Sequence, residues 1–186
     1  PDRLLDLIRN FIIYDNNVKK ICRYKQYFAV KKCMKRILFQ DGANTRNGVV
    51  WHTQGSGKTI TMIMLTKMII RESMKPGSSI KRPRFVMVTD RINLDKQIRD
   101  NFIHTQMRPH RAKTGKGLIE LLKEDGNTVI TALVNKFEAA VKQEYCNDSE
   151  NIFVFIDEGH RTQYGKLNIY MNRVLPNAVK IAFTGT

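Results

Sequence analysis

No stretch of this sequence approaches the roughly 18 to 20 uninterrupted apolar residues that a membrane span requires, so no membrane role is expected of it. Cysteine is scarce. Cys22, Cys33 and Cys146 are too few and too irregularly spaced for a disulfide framework or a zinc site. Their odd number suits a reducing interior, which predicts a cytoplasmic protein in which all three pack as small hydrophobes. Internal repeats and low-complexity tracts are lacking, and 42% apolar with 26% charged residues excludes a disordered chain or a fibre. Acid is in short supply: 17 Asp and Glu stand against 32 Lys and Arg, a formal charge of +15 with a pI near 9.9. That imbalance is the electrostatic footprint of a polyanion binder. At 186 residues the chain amounts to one domain. A domain of that size buries roughly 70% of the surface its unfolded form exposes. It opens on Pro1, without Met or a signal-peptide layout, and so reads as part of a longer protein.

Leu4, Leu5, Ile8, Phe11 and Ile12 recur at helical steps, predicting an amphipathic helix that ends near Asp15-Asn16-Asn17. A second helix should carry Tyr27, Val30, Met34 and Ile37 on one face. Between Asn16 and Gln40 lie eight basic residues and no acidic one, either a solvated face or one turned toward phosphate. After the turn-rich Asp41-Gly42-Ala43-Asn44 the rhythm changes. Short apolar runs (Val49 to Trp51, Phe85 to Val88, Val129-Ile130, Ile152 to Ile156, Lys180 to Phe183) alternate with helical segments at Thr59 to Arg71, Arg91 to Phe102, Leu118 to Lys123, Phe137 to Gln143 and Leu167 to Val174. Runs this uniformly apolar read as strands covered on both faces, hence a mainly parallel sheet in an α/β fold with helices in layers on either side. Ligands on such sheets bind beyond the carboxyl ends of the strands, which is where the motifs stand.

The first run leads into His52-Thr53-Gln54-Gly55-Ser56-Gly57-Lys58-Thr59 and then directly into a helix. Glycines there let backbone N–H groups curl around phosphate oxygens; Lys58 reaches the outer phosphates and the Thr59 hydroxyl ligates Mg²⁺. His52 takes the place of the usual first glycine of a phosphate loop. The fourth run ends in Asp157-Glu158-Gly159-His160. One carboxylate at a strand end, Asp157, holds Mg²⁺ through its waters, while its neighbour Glu158 orients or deprotonates the attacking water. Asn135-Lys136-Phe137-Glu138 resembles a guanine-reading element, but it precedes the acidic strand and carries Glu rather than Asp, so a GTPase is excluded. The last run finishes in Phe183-Thr184-Gly185-Thr186, whose hydroxyls can relay the presence of a terminal phosphate.

In that order and spacing, TQGSGKT, DEGH and FTGT resemble motifs I, II and III of superfamily 2 helicases and translocases. The string from Val50 to Thr59, the Arg23-Tyr24-Lys25-Gln26-Tyr27-Phe28-Ala29-Val30 element, Thr89 to Gln97 and Asp157 to Arg161 are similar to the motor of the R subunit of type I restriction enzymes. The resemblance implies a RecA-like P-loop NTPase domain over residues 46–186, preceded at 1–45 by a helical connector with an adenine-reading motif. It implies ATP as substrate with Mg²⁺, cradled by Gln26, Thr53, Gly55, Ser56, Gly57, Lys58 and Thr59. His160 would couple hydrolysis to Thr184 and Thr186, while Thr89, Arg91 and Thr131 would touch a DNA phosphate backbone. Gly159 stands where that family has Ala. The whole subunit would translocate double-stranded DNA before cleavage, with specificity and methyltransferase subunits as partners, and would need a nuclease domain and a second RecA-like domain. A DEAH-like helicase acting on DNA or RNA is the alternative.

Overall fold

The computed structural model describes residues 2–39, 46–53, 55–124, 126–157 and 164–185, with only the backbone at Tyr164. All five apolar runs are strands: β3 (Gly48–Trp51), β4 (Arg84–Thr89), β6 (Val129–Leu133), β7 (Ile152–Asp157) and β8 (Val179–Thr184). A two-residue strand, β5 (His110–Arg111), completes a six-stranded sheet in the order β3-β8-β7-β4-β6-β5, every neighbouring pair parallel. The parallel α/β expectation therefore holds.

Alternate residues of these strands feed two apolar cores, which is why the runs lack polar alternation. Phe85, Met87, Phe153, Phe155, Ile181 and Phe183 pack toward α2 (Tyr24–Leu38), α3 (Lys58–Ser73) and α4 (Ile92–His104). Val86, Val88, Ile130, Ala132, Val154 and Ile156 pack toward α5 (Gly115–Lys123), α6 (Val134–Val141) and α7 (Tyr164–Val174). On the first face, Phe155 lies 5.6 Å from Phe183 and 6.2 Å from Phe85 between ring centroids. Truncating a ring in that row leaves a void the sheet cannot close. Phe155→Ala is expected to cost about 3–5 kcal/mol of unfolding free energy in a urea titration. A loss under about 1 kcal/mol would show that the row is not close-packed.

The N-terminal expectation needs correction. The first helix, α1 (Asp2–Asn10), stops short of Phe11, and an antiparallel hairpin of β1 (Ile12–Asp15) and β2 (Val18–Ile21) follows. Asn16 and Asn17 bridge it with φ of 48° and 64°, the left-handed pair that a two-residue hairpin turn needs. Phe11 and Ile13 are buried against Tyr27, Val30 and Met34 of α2 in the same core as the strands, so the N-terminal segment is not all helical and packs on the sheet domain. Cys22 and Cys33 are partly buried as expected, but Cys146 is exposed. Burial raises the Cys33 thiol to about 11. Among the described residues no helix is long and apolar enough to cross a membrane.

Candidate functional site

The phosphate loop is set by glycine conformation and helix geometry together. Gly55 and Gly57 have φ of 76° and 86°, left-handed values that a side chain resists. Between them the Ser56 N–H donates to Thr53 O at 3.1 Å, closing a tight turn. Gly57 caps α3 with no side-chain cap hydrogen bond among the described residues. Its carbonyl accepts from the Thr61 N–H at 3.1 Å and the Thr61 hydroxyl at 3.2 Å. The N–H groups of Lys58, Thr59 and Ile60 therefore precede the first intrahelical bond and carry the positive end of the helix dipole. Such an arrangement of free N–H groups can hold an anion.

Register brings the other motifs to the same rim. The His52 N–H donates to Thr184 O at 2.8 Å, and Trp51 pairs with Thr184 while Asp157 pairs with Phe183. Strand β8 thus lies between the strand that opens the loop and the strand that ends in Asp157, a separation of about 10 Å across two strand spacings. The Thr59 hydroxyl and the Asp157 carboxylate are hard oxygen donors, the chemistry Mg²⁺ takes together with substrate phosphates and water, so the residues present fit that ion. Glu158, His160 and Thr186, expected as base and coupling residues, lie outside the described residues, as do Gln54, Gly159 and Arg161.

Gln26 sits in the first turn of α2 and is only 4% exposed. Its Oε1 accepts from the Arg23 N–H at 2.8 Å, and its Nε2 donates to Gly57 O at 3.1 Å and Ser56 O at 3.3 Å. In this conformation the amide braces the phosphate loop from below, and both of its donor hydrogens are engaged there. Beside it a cavity of about 570 Å³ is lined by Arg23, Tyr24, Lys25, Thr53, Gly55 and Ser56.

The expected DNA contacts divide. Arg91 follows β4 with its side chain 59% exposed, 3.8 Å from the Asp90 carboxylate. Thr89 and Thr131, by contrast, are 2% and 1% exposed, both buried in their strands. Thr89 donates to Arg91 O at 3.4 Å. Thr131 pairs with Met87 and Arg111 inside the sheet. Sequence reasoning did not single out the cations at this end of the sheet. Lys113 follows β5, Lys116 opens α5 and Lys136 lies in the first turn of α6, so with Arg91 they ring the carboxyl ends of three adjacent strands. Lys113 and Lys116 are exposed. The signal available was Thr114, whose hydroxyl caps α5 by accepting from the Gly117 N–H at 2.9 Å. Asp95, 1% exposed and 2.9 Å from Arg111 Nε, ties the start of α4 to this end of the sheet.

The SWI2/SNF2 ATPase family model matches residues 25–186. A putative type I restriction enzyme endonuclease subunit, MjaIXP of Methanocaldococcus jannaschii, is 34% identical over 193 residues, covering 100% of this chain and 18% of that protein. The HindI endonuclease subunit of Haemophilus influenzae is 32% identical over 214 residues, covering 100% of this chain and 20% of that one. This chain thus spans about a fifth of the length of these curated relatives. The Sulfolobus solfataricus SWI2/SNF2 ATPase core in complex with double-stranded DNA superposes with a TM-score of 0.66 at 15% identity, over 97% of this chain and 34% of that one, a likeness of fold. A parallel sheet, a glycine loop opening α3 and a family match over most of the length agree: the chain belongs to the SWI2/SNF2 ATPase family and is similar throughout to type I restriction endonuclease subunits.

Proposed function

We propose that this chain is the ATP-binding half of the double-stranded DNA translocase motor in a type I restriction endonuclease subunit. The observation that carries the proposal is the shared rim: the glycine loop after β3, Thr184 on β8 and Asp157 on β7 stand on adjacent strand ends. Residues 55–59 bind the phosphates through backbone N–H groups, and Lys58 places its charge on the outer phosphates. Thr59 and Asp157 hold Mg²⁺, which when bound screens the phosphate charge. Glu158 takes the proton of the attacking water, and His160, Thr184 and Thr186 report the state of the terminal phosphate to the DNA-facing side. Gln26 reads the adenine edge only by exchanging its bonds to Ser56 and Gly57 carbonyls for the base, which would link loop shape to nucleotide identity. A second RecA-like domain completes hydrolysis, so this chain alone binds nucleotide with negligible turnover. A nuclease domain and the specificity and methyltransferase subunits supply cleavage and sequence choice, and the protein works in the cytoplasm.

The net charge of +15 and the cationic rim suit a motor that follows phosphates without reading bases. Arg91→Ala is expected to weaken duplex DNA binding about equally across unrelated sequences and to lower the salt slope by about one. Fluorescence anisotropy at several salt concentrations measures both. An unchanged slope would remove Arg91 from the DNA track. Brisk DNA-stimulated hydrolysis by these residues alone would contradict the proposed half-motor.

A further inference from the structure

His52 does something the phosphate-loop pattern does not ask for. It is 8% exposed, and its ring faces the backbone of Lys25 at the start of α2. Its Nδ1 is buried with no hydrogen-bond partner among the described residues, and so is the hydroxyl oxygen of Ser56. Both residues line a cavity of about 130 Å³ with Lys25, Trp51 and Thr53, under the loop and sharing three residues with the larger cavity beside Gln26. A buried ring nitrogen and a buried hydroxyl left open on one cavity call for a proton or water between them, since orphaned polar atoms are costly.

Resting on the nucleotide-site reading above, we propose that His52 is a proton-linked positioning residue of the loop, neutral while the loop is empty and protonated at Nδ1 when a triphosphate is held. Among the described residues, the charged groups that face it are both cations, Lys25 from α2 and Lys58 from α3. Burial first, and then these two charges, hold the imidazole below its ordinary range, against the raising effect of the Lys25 backbone. A bound triphosphate draws the Lys58 charge onto its oxygens and adds negative charge at the loop. That removes the repulsion and favours the imidazolium. The proton comes from solvent, and Nδ1–H then donates into the cavity that the Ser56 hydroxyl lines, fixing the loop in its loaded form. The sign follows: binding takes up a proton, so affinity rises as pH falls from the loaded-state pKa toward the lower empty-state pKa. One full proton corresponds to about tenfold in affinity per pH unit.

Isothermal titration of this chain with Mg·ATPγS, in buffers of different ionisation enthalpy, counts the protons, because that nucleotide's thiophosphate is already ionised at neutral pH. Uptake of up to about one proton is expected. It should be lost in His52→Gln, which keeps an amide donor for Lys25. Ring ¹⁵N NMR of the unaltered chain gives an independent readout: Nδ1 should gain its proton on nucleotide addition. Binding with no proton uptake, or with uptake that persists in His52→Gln, would overturn the role of His52 while leaving the nucleotide site standing. Absence of binding, or binding unaffected by Lys58→Ala, would overturn both.

Discussion

Lys58→Ala is expected to lower DNA-stimulated ATP hydrolysis by the complete subunit by at least about 10²–10³-fold, the scale for removing a preorganised charge from the reacting oxygens. In this chain the same change should weaken Mg·ATP binding by about 10- to 100-fold, corresponding to loss of one charge-assisted hydrogen bond of about 1.5–3 kcal/mol. The fold should survive. Lys58 is the first residue of α3, half-exposed, and alanine is the best helix former. A thermal melt within a few degrees of the parent, alongside lost binding by calorimetry, is the expected pair of results. Retained affinity in a folded variant would mean that the loop is an ordinary strand-to-helix turn.

Gly57→Ala should do more damage than its size suggests, for reasons separable by a control. A Cβ at Gly57 would sit at φ +86° and 2.6 Å from Gln26 Nε2, which holds two loop carbonyls. The left-handed backbone costs about 1–2 kcal/mol with a side chain. Displacing a buried, fully bonded amide adds about 1–3 kcal/mol. Gly55 has the same backbone problem, φ +76°, but nothing within 4 Å of its Cβ position. Urea unfolding should therefore show Gly57→Ala less stable than Gly55→Ala by about 1–3 kcal/mol. Nucleotide affinity should also fall more than tenfold in the Gly57 variant, because the brace sets the carbonyls opposite the cradle. Equal stabilities for the two variants would show that Gln26 carries no strain into the loop.

How far the sequence reached depends on whether local chemistry or tertiary context decides each position. Strands β4, β7 and β8 were legible because residues such as Phe153-Val154-Phe155-Ile156 face apolar cores on both sides, leaving no polar residue to break the run. The loop was legible because left-handed backbone at Gly55 and Gly57 demands glycine, which marks the sequence itself. The N-terminal hairpin was not, since Leu4, Leu5 and Ile8 set a helical rhythm that Phe11 and Ile12 continue by accident of spacing. The contrary signal was Asn16-Asn17, a turn pair whose weight comes from the burial of Ile13 beside an exposed Tyr14. Strand β5, with two residues, is shorter than any periodicity can register. The burial of Thr89 and Thr131 was not legible, because only packing under α4 decides how far a hydroxyl near a strand end is exposed. Lys113, Lys116 and Lys136 were hidden for the opposite reason: in a chain of 32 basic residues, only the strand order shows which cations share a rim.

The central claim is that the loop at Gly55 to Thr59 and the strand end at Asp157 serve a single metal-bound triphosphate. A crystal structure of this chain with an ATP analogue and Mn²⁺ in place of Mg²⁺ tests it directly, because the anomalous signal marks the metal independently of the model. The account predicts one manganese peak served by the Thr59 hydroxyl and the Asp157 carboxylate or its waters, with the outer phosphates over the N–H groups of residues 55–59. Nucleotide at another face of the sheet, or a metal remote from Asp157, would contradict it.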